Sequence, residues 1–119
     1  MTVAGHRHER IAEEIRHEVS GMIAGELKDP RIAGLVTVTE VRVSPDLRHA
    51  RIYVSVLGTD AEHASTLAGL NAAAGFIRRE LSLRLLLRRS PEMHFVLDTS
   101  GPQGERIEQL LRESKKTEP

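Results

Sequence analysis

The pattern of apolar and polar residues predicts the element order helix, strand, strand, helix, helix, strand. Near the N-terminus, Ile11, Ile15 and Val19 recur every four residues, which is typical of a helix buried along one side. Two stretches rich in β-branched residues follow, at 35–43 and 49–57, with a turn-forming Ser-Pro-Asp sequence between them. The first half of the chain therefore predicts a helix beside an antiparallel hairpin.

The second predicted strand alternates between apolar and polar residues. The apolar set would share one face, and the polar set would share the other: Ala50, Ile52, Val54 and Val56 against His49, Arg51, Tyr53 and Ser55. This period of two is typical of a sheet that is packed on one side. We expect the opposite face to be in water or to bind a partner.

The second half of the chain predicts two consecutive helices. Thr59 and Glu62 fit the capping-box pattern and mark the start of the first of them. Glycine costs about 1 kcal/mol relative to alanine inside a helix, so Gly75 between two apolar helical segments predicts a kink. The next helix is expected to run to about Arg89, where Ser90 and the following proline would end it.

The C-terminal part predicts one more strand and one more helix. Met93 to Leu97 has the alternation of a third strand. After a loop rich in glycine and proline, Glu105 to Glu113 is expected to form a short helix, and 114–119 a frayed polar tail.

Positive charge is concentrated in the predicted third helix. Between residues 76 and 91 a single acid accompanies five arginines: Arg78, Arg79, Arg84, Arg88 and Arg89. At about 100° per residue, all of these except Arg79 fall within an arc of about 140°, which predicts contact with a polyanion. The alternative is an ordinary solvated helix face.

The apolar residues of the same helix do not form one stripe. Three of them are interleaved with the arginine arc and three lie roughly opposite: Ile77, Leu81 and Leu85 against Phe76, Leu83 and Leu87. This pattern leaves three interpretations open. The helix is buried on two sides, it is distorted, or it exposes leucines to a partner.

Further basic candidates lie in two predicted loops and beside them. Two follow the first helix and three lie around the hairpin: Lys28 and Arg31, then Arg42, Arg48 and Arg51. A loop lysine or arginine can equally be solvated without a partner, so these five positions are secondary candidates for a nucleic-acid contact.

The length and composition of the chain exclude several classes of protein. The 119 residues are enough for one core, and the absence of cysteine excludes disulfides and thiolate chemistry. The 17 basic and 17 acidic residues cancel, which argues against indiscriminate polyanion binding. The N-terminus has no apolar segment and no run is long enough to span a bilayer, so we expect a cytoplasmic protein without membrane contact.

Catalytic and cofactor motifs are missing from the sequence. Six histidines show no local ligand spacing apart from His6 and His8 near the N-terminus, so we predict no metal site. No phosphate-cradling glycine loop and no arrangement of a nucleophile with a base is recognisable. We expect a protein that is not an enzyme and that uses no cofactor.

The joint order of several motifs resembles the ribosome-binding factor A family over about residues 6 to 113. The motifs are Asp29-Pro30-Arg31, the hairpin Val41 to Leu47, Ala73-Ala74-Gly75 where other K-homology domains carry Gly-x-x-Gly, Phe76-Ile77-Arg78-Arg79, and Arg106 to Leu111. The resemblance implies an α+β, type II-like K-homology domain with a kinked helix pair and a three-stranded sheet covered by helices on one face. This domain would span 6–98, followed by a C-terminal extension over 99–119.

The resemblance also implies a function. A protein of this family would bind the free 30S subunit or its precursor through 16S rRNA and support late maturation, including 5′-end processing. The arginines of the third helix and the loop cations would contact RNA, Ala73 and Gly75 would form the kink motif, and an assembly GTPase would assist release. The rival interpretation is a non-catalytic protein-interaction module on the same scaffold; in both cases a monomer suffices.

Overall fold

A computed structural model describes residues 7–32 and 35–99. The elements follow the predicted order: α1 (Arg7–Gly25), β1 (Val36–Val43), β2 (His49–Val56), α2 (Asp60–Ala72), α3 (Ala74–Arg84) and β3 (Glu92–Leu97). The predicted C-terminal helix at 105–113 and the extension beyond residue 99 lie outside the described residues. Within the described part, no helix is both long and apolar enough to cross a membrane.

The three strands form one mixed sheet in the order β1-β2-β3. β1 pairs with β2 antiparallel, and β2 pairs with β3 parallel, with His49 opposite Glu92. The parallel pairing requires a crossover, which α2 and α3 supply. The first residues of β2 and β3 therefore lie at the same end of the sheet.

One face of the sheet is buried under the helices, as the alternation in β2 predicts. Ala50, Ile52 and Val54 are fully buried and pack with Ile15, Val19 and other apolar residues of α1. The polar residues of β2 lie on the opposite side, which is called the open face below. The α+β fold with helices on one side of a three-stranded sheet is thereby confirmed.

A β-bulge in β1 keeps the apolar residues of this strand on the buried face of the sheet. Val38 pairs with Val54 and Val41 pairs with Ile52, although three positions separate the two valines on β1 and two positions separate their partners. Thr39 is the extra residue, and its hydroxyl donates a hydrogen bond to the carboxylate of Asp98. The bulge thus returns Val41 to the buried face, which a strict alternation would not allow.

The start of α2 agrees with the prediction. Thr59 accepts from the Glu62 amide and Glu62 accepts from the Thr59 amide, so the predicted capping box is present.

The turn between α2 and α3 differs from the predicted kink. The helices are separated at Ala73, with φ −85° and ψ −2°. Gly75 lies in the first turn of α3, with open space where a Cβ would stand. A glycine at 75 is therefore not what turns the chain.

The prediction that the third helix runs to Arg89 is wrong. α3 ends at Arg84, and Leu86 adopts a left-handed conformation with φ 52°. Such a conformation is unfavourable for a residue with a Cβ and cannot continue a right-handed helix. Arg88 and Arg89 consequently lie in an irregular segment before β3, and the helical arc proposed for the arginines holds only up to Arg84.

The apolar residues of α3 are divided by their depth. Ile77 and Leu81 are fully buried and Leu85 packs against the core. Leu83 is 71% exposed and Phe76 is 40% exposed. Burial on two sides, one of the three interpretations left open by the sequence, is therefore wrong, since α3 has a single buried stripe. Leu83 and Phe76 are exposed, and their use by a partner stays a prediction.

Candidate nucleic-acid interface

Four arginines converge where β2 and β3 begin. The Glu92 amide donates to the Arg48 carbonyl at 2.8 Å, which brings the hairpin turn against the segment that precedes β3. The Arg78 Nε donates to the Ser90 carbonyl at 3.0 Å, which ties α3 to the same segment. Arg48 and Arg78 therefore flank a segment that itself contains two more arginines. We call Arg48, Arg78, Arg88 and Arg89 the basic cluster.

The side chains of this cluster are available to a ligand. All four residues are exposed. Among the described residues, Arg88 and Arg89 form no ion pair. Arg48 lies near Asp46, to which its backbone amide donates, and Arg78 keeps its two terminal nitrogens beyond the bond from Nε. Arginine can hydrogen-bond a phosphate through two nitrogens at once or stack on a base. An exposed group of arginines of this kind can do both with a folded nucleic acid.

Arg84 has a different environment from the other arginines of α3. Its Nη2 lies 2.6 Å from Glu26 Oε2 and 3.1 Å from Glu80 Oε1, and its Nη1 lies 3.5 Å from Glu18 Oε2. The hydrogen bond to Glu26, together with those to Glu80 and Glu18, raises the pKa of the guanidinium. Three carboxylates thus hold one cation, and Arg84 connects α1 and the residue after it to α3.

The loop after α1 is stabilised by a local ion pair. Arg31 Nη2 lies 2.6 Å from Asp29 Oδ2, and Arg31 Nε donates to Asp29 Oδ1 at 3.0 Å. These side-chain hydrogen bonds, together with one from the Arg31 backbone amide, lower the pKa of Asp29 to about 2. Arg31 is therefore committed within the chain, whereas Lys28 is exposed and has no ion-pair partner among the residues at 7–32 and 35–99.

This loop is also seated on α2. The Ser65 hydroxyl donates to the Arg31 carbonyl at 3.2 Å. A Cβ on Gly69 would lie 2.8 Å from Ile32 Cγ1 and 3.2 Å from Arg31 Cβ, so the loop approaches the helix at the point where α2 has no side chain. Gly69 was not a candidate from the sequence, because its partner is more than thirty residues away.

Arg42 lies on the open face of the sheet. Its Nε donates to Glu40 Oε1 at 3.0 Å, and its guanidinium carbon lies 5.5 Å from the centre of the Tyr53 ring. Both contacts occupy the cation. Arg79, in contrast, is exposed on α3 with no ion pair to any described carboxylate.

The structure thus brings only part of the predicted set together. Arg48, Arg78, Arg88 and Arg89 share one end of the sheet, while Arg31, Arg42 and Arg84 are engaged by carboxylates in three other places. Ala73 forms the interhelical turn by its backbone, and Gly75 follows it inside α3. No contact among the described residues gives either of them a role beyond this geometry.

A side-chain amide also fixes the outer edge of β3 near α2. The Phe95 amide donates to Asn71 Oδ1 at 3.1 Å, and Asn71 Nδ2 donates to the Phe95 carbonyl at 3.4 Å. Asn71 therefore occupies both backbone groups that a fourth strand would use at this position. This pairing holds β3, and with it the segment that carries Arg88 and Arg89, against the helices.

The comparisons with known proteins agree with this architecture. The family model described as "Ribosome-binding factor A" matches residues 7–111. A ribosome-binding factor A from Acetivibrio thermocellus is 53% identical over 108 residues, covering 91% of this chain and 88% of that protein.

Two related structures have the same fold. A solution structure of a Thermotoga maritima protein described as a putative ribosome binding factor A has a TM-score of 0.67 and 35% identity, covering 86% of this chain and 95% of that one. A homology model of a Thermus thermophilus ribosome binding factor A, fitted into the cryo-EM map of its 30S complex, has a TM-score of 0.63 and 27% identity, covering 76% of this chain and 93% of that one.

Proposed function

Because the chain belongs to the ribosome-binding factor A family, we propose that it is an assembly factor for the small ribosomal subunit. It binds the free 30S subunit or its precursor through 16S rRNA and supports late maturation, including processing of the 16S 5′ end. A homology model of a relative with the same fold has been fitted into the cryo-EM map of that relative's 30S complex, which supports the 30S subunit as the target.

The basic cluster is the observation on which this proposal rests. It places four arginines at one end of the sheet on a chain whose formal net charge is zero. The clustering favours a defined phosphate surface over general affinity for polyanions. Arg79 and Lys28 add exposed positive charge, and Arg31 and Arg42 contribute once RNA displaces their carboxylate partners.

The recognition is expected to depend on shape and phosphates more than on base sequence. A K-homology domain with a Gly-x-x-Gly loop lets the backbone clamp single-stranded nucleotides. The α2–α3 turn of this chain has Ala73 and Ala74 at its centre, and their Cβ atoms keep a nucleotide backbone at a distance. Folded rRNA with closely spaced phosphates fits the cluster better than an extended single strand.

The mechanism is a shift of population without bond chemistry. A protein that binds one rRNA conformer more tightly than another enriches that conformer by the ratio of the two affinities. The factor stabilises an immature arrangement and must leave before the subunit enters translation. We infer that an assembly GTPase assists this departure, and that the protein acts in the cytoplasm as a monomer with no catalytic residue and no cofactor.

The first experiment is co-sedimentation with free 30S subunits, 70S ribosomes and polysomes over a series of salt concentrations. We compare the wild type with R88E/R89E, and the control is R7E/R10E, which changes the net charge equally on exposed arginines of α1. The logarithm of affinity falls with the logarithm of salt by about 0.7–0.9 per phosphate contact, so losing two contacts should reduce this slope by roughly 1.4–1.8.

We expect selective association with free 30S subunits that R88E/R89E abolishes at moderate salt and that R7E/R10E retains. Equal loss in both variants would indicate a general charge effect and contradict the role of the cluster. Absence of the wild type from every ribosomal fraction at low salt would contradict the function itself.

Exposed apolar side chains at the end of α3 favour a second candidate, a protein-interaction module. Leu83 is 71% exposed and Leu86 is 89% exposed, and Phe76 is exposed on the same helix. A hydrophobic interface would depend weakly on salt and would be lost in L83S, whereas the rRNA interface would be unaffected by that change. The sedimentation series with L83S separates the two.

A further inference from the structure

The open face of the sheet brings together three metal-ligating side chains that lie far apart in sequence. His49 is the first residue of β2, and Glu92 and His94 belong to β3. The parallel register places His49 opposite Glu92, and His94 is two positions along β3 and therefore on the same face. One donor atom from each residue lies within 4.8 Å of the other two.

The individual distances show how the group is arranged. His49 Nδ1 lies 3.7 Å from Glu92 Oε2. The His49 and His94 rings have their centres 6.1 Å apart and are inclined by 30°. The two imidazoles and the carboxylate thus surround a common point just above the sheet. We propose that His49, Glu92 and His94 bind a divalent transition-metal ion, with Zn²⁺ as the favoured occupant.

The ligand set selects this class of ion. Two imidazole nitrogens with one carboxylate oxygen form a set that Zn²⁺ takes in proteins, with the remaining position left to water. Mg²⁺ and Ca²⁺ prefer oxygen ligands throughout, so two imidazoles discriminate against them. The side chains of His49 and Glu92 are 59% and 58% exposed, which leaves room for the water.

Only the side chains have to move to close the site. Tetrahedral zinc with ligands at about 2.0–2.1 Å keeps its donor atoms roughly 3.3 Å apart, so the widest pair, at up to 4.8 Å, must approach by up to about 1.5 Å. Rotations about the side-chain bonds of exposed residues supply such a movement. The ligands therefore need no rearrangement of the sheet.

The backbone under the site is held in place. The amide of His49 donates to the Ser44 hydroxyl and its carbonyl accepts from the Ser44 amide. Met93 and Phe95, the neighbours of His94 along β3, are buried in the core. Ligands on paired strands with buried neighbours are more precisely placed than ligands on a loop.

Positive charge near the site opposes the binding of a cation. Arg51 is the register partner of His94 on β2 and lies on the same open face. Arg48 directly precedes His49, and its carbonyl accepts from the Glu92 amide, so the basic cluster begins beside the ligands. These positive charges reduce the affinity of the site, so we expect binding weaker than that of a buried structural zinc centre. Replacement of Arg51 by glutamine should tighten binding.

The proposed site differs from the sequence-based prediction, which is that the protein has no metal site. His49 and Glu92 lie 43 positions apart in the sequence, and the parallel pairing of β2 and β3 brings them together. Local spacing cannot signal such a group. The proposal is independent of rRNA binding, because it concerns the affinity of the free protein for an ion.

The test is a titration of tag-free, full-length protein with Zn²⁺ in competition with a chromophoric chelator. The variants H49Q, E92Q and H94Q remove one ligand each, and circular dichroism confirms their folding. Loss of even an outer partner of a ligand weakens metal affinity about 10–100-fold, so each variant should bind at least about tenfold more weakly. H17Q, an exposed histidine on α1, is the matched control.

The N-terminal pair His6 and His8 is the competing source of ligands, and H6Q/H8Q removes it. We expect one bound ion in the wild type, in H17Q and in H6Q/H8Q, with imidazole resonances of His49 and His94 shifted in the NMR spectrum. Binding that survives in H94Q, that disappears in H6Q/H8Q, or that is absent from the wild type overturns the proposal.

Discussion

Replacement of Gly69 by alanine tests how the loop after α1 is seated on α2. Inside a helix, alanine is favoured over glycine by about 1 kcal/mol. At Gly69, however, the new Cβ would lie 2.8 Å from Ile32 Cγ1 and 3.2 Å from Arg31 Cβ. Neither atom is the free end of a flexible side chain, so the loop itself must move.

In G69A, steric crowding lowers the free energy of unfolding, whereas the higher helix propensity of alanine raises it. Inserting a methyl group into a packed contact costs about 1–3 kcal/mol, against about 1 kcal/mol gained in helix propensity. G69A should therefore leave the free energy of unfolding unchanged or lower it by up to about 2 kcal/mol. G21A is the matched control, because Gly21 lies in α1 with no atom within 4 Å of a Cβ and should gain about 1 kcal/mol.

Urea denaturation followed by circular dichroism measures both variants against the wild type. In a domain of this size 1 kcal/mol corresponds to about 4–8 °C in melting temperature, so thermal scans give a second measure. The melting temperature of G21A should rise, and that of G69A should stay constant or fall. If G69A gains as much stability as G21A, the loop does not pack on α2 as described.

Two further predictions concern single titratable groups. R31A should raise the pKa of Asp29 from about 2 part of the way toward the ordinary value of 3.8, because the side-chain hydrogen bonds from Arg31 are lost while the backbone amide of residue 31 still donates to Asp29 Oδ1; an unchanged Asp29 pKa in a carbon-detected NMR titration would contradict the pairing. Since the folded pKa is the lower one, this contribution to stability is present above about pH 4 and lost as the pH falls toward 2 in the wild type. H63L should raise the free energy of unfolding by about 1 kcal/mol, because His63 is 7% exposed and neither ring nitrogen has a hydrogen-bond partner among the described residues, with Asp60 Oδ1 4.0 Å from Nδ1. A lower urea midpoint in H63L would show that the imidazole has a partner in solution.

The elements that the sequence predicts well are those set by local patterns. The capping box at Thr59 and Glu62 marks the start of α2 in the sequence and in the structure. The alternation from His49 to Val56 identifies the buried face of β2 correctly, because a strand packed on one side leaves a period of two. Family resemblance adds the type of fold: the family model matches residues 7–111, and the element order of the described residues agrees with the prediction.

The elements that the sequence predicts poorly depend on contacts between distant residues. The segment from Leu85 to Arg89 contains only good helix formers, so the local sequence has no signal for the end of α3 at Arg84. In the sequence, nothing distinguishes Arg84 from the neighbouring arginines of α3. In the structure, however, Arg84 forms ion pairs with Glu18 of α1 and with Glu26, the residue after α1. A helical wheel cannot show which arginines are free and which are paired, and the basic cluster therefore differs from the predicted arc.

The parallel pairing of β2 with β3 determines when, during synthesis of the chain, the arginines of the basic cluster come together. The β1–β2 hairpin joins neighbouring segments, whereas β3 can pair with β2 only after the whole α2–α3 crossover has been synthesised. Arg48 comes to lie beside Arg88 and Arg89 only in that last step. A chain that is still being translated, or one that has stalled before β3, thus has no assembled basic cluster, and under the proposed function such a chain would not compete with finished molecules for immature subunits.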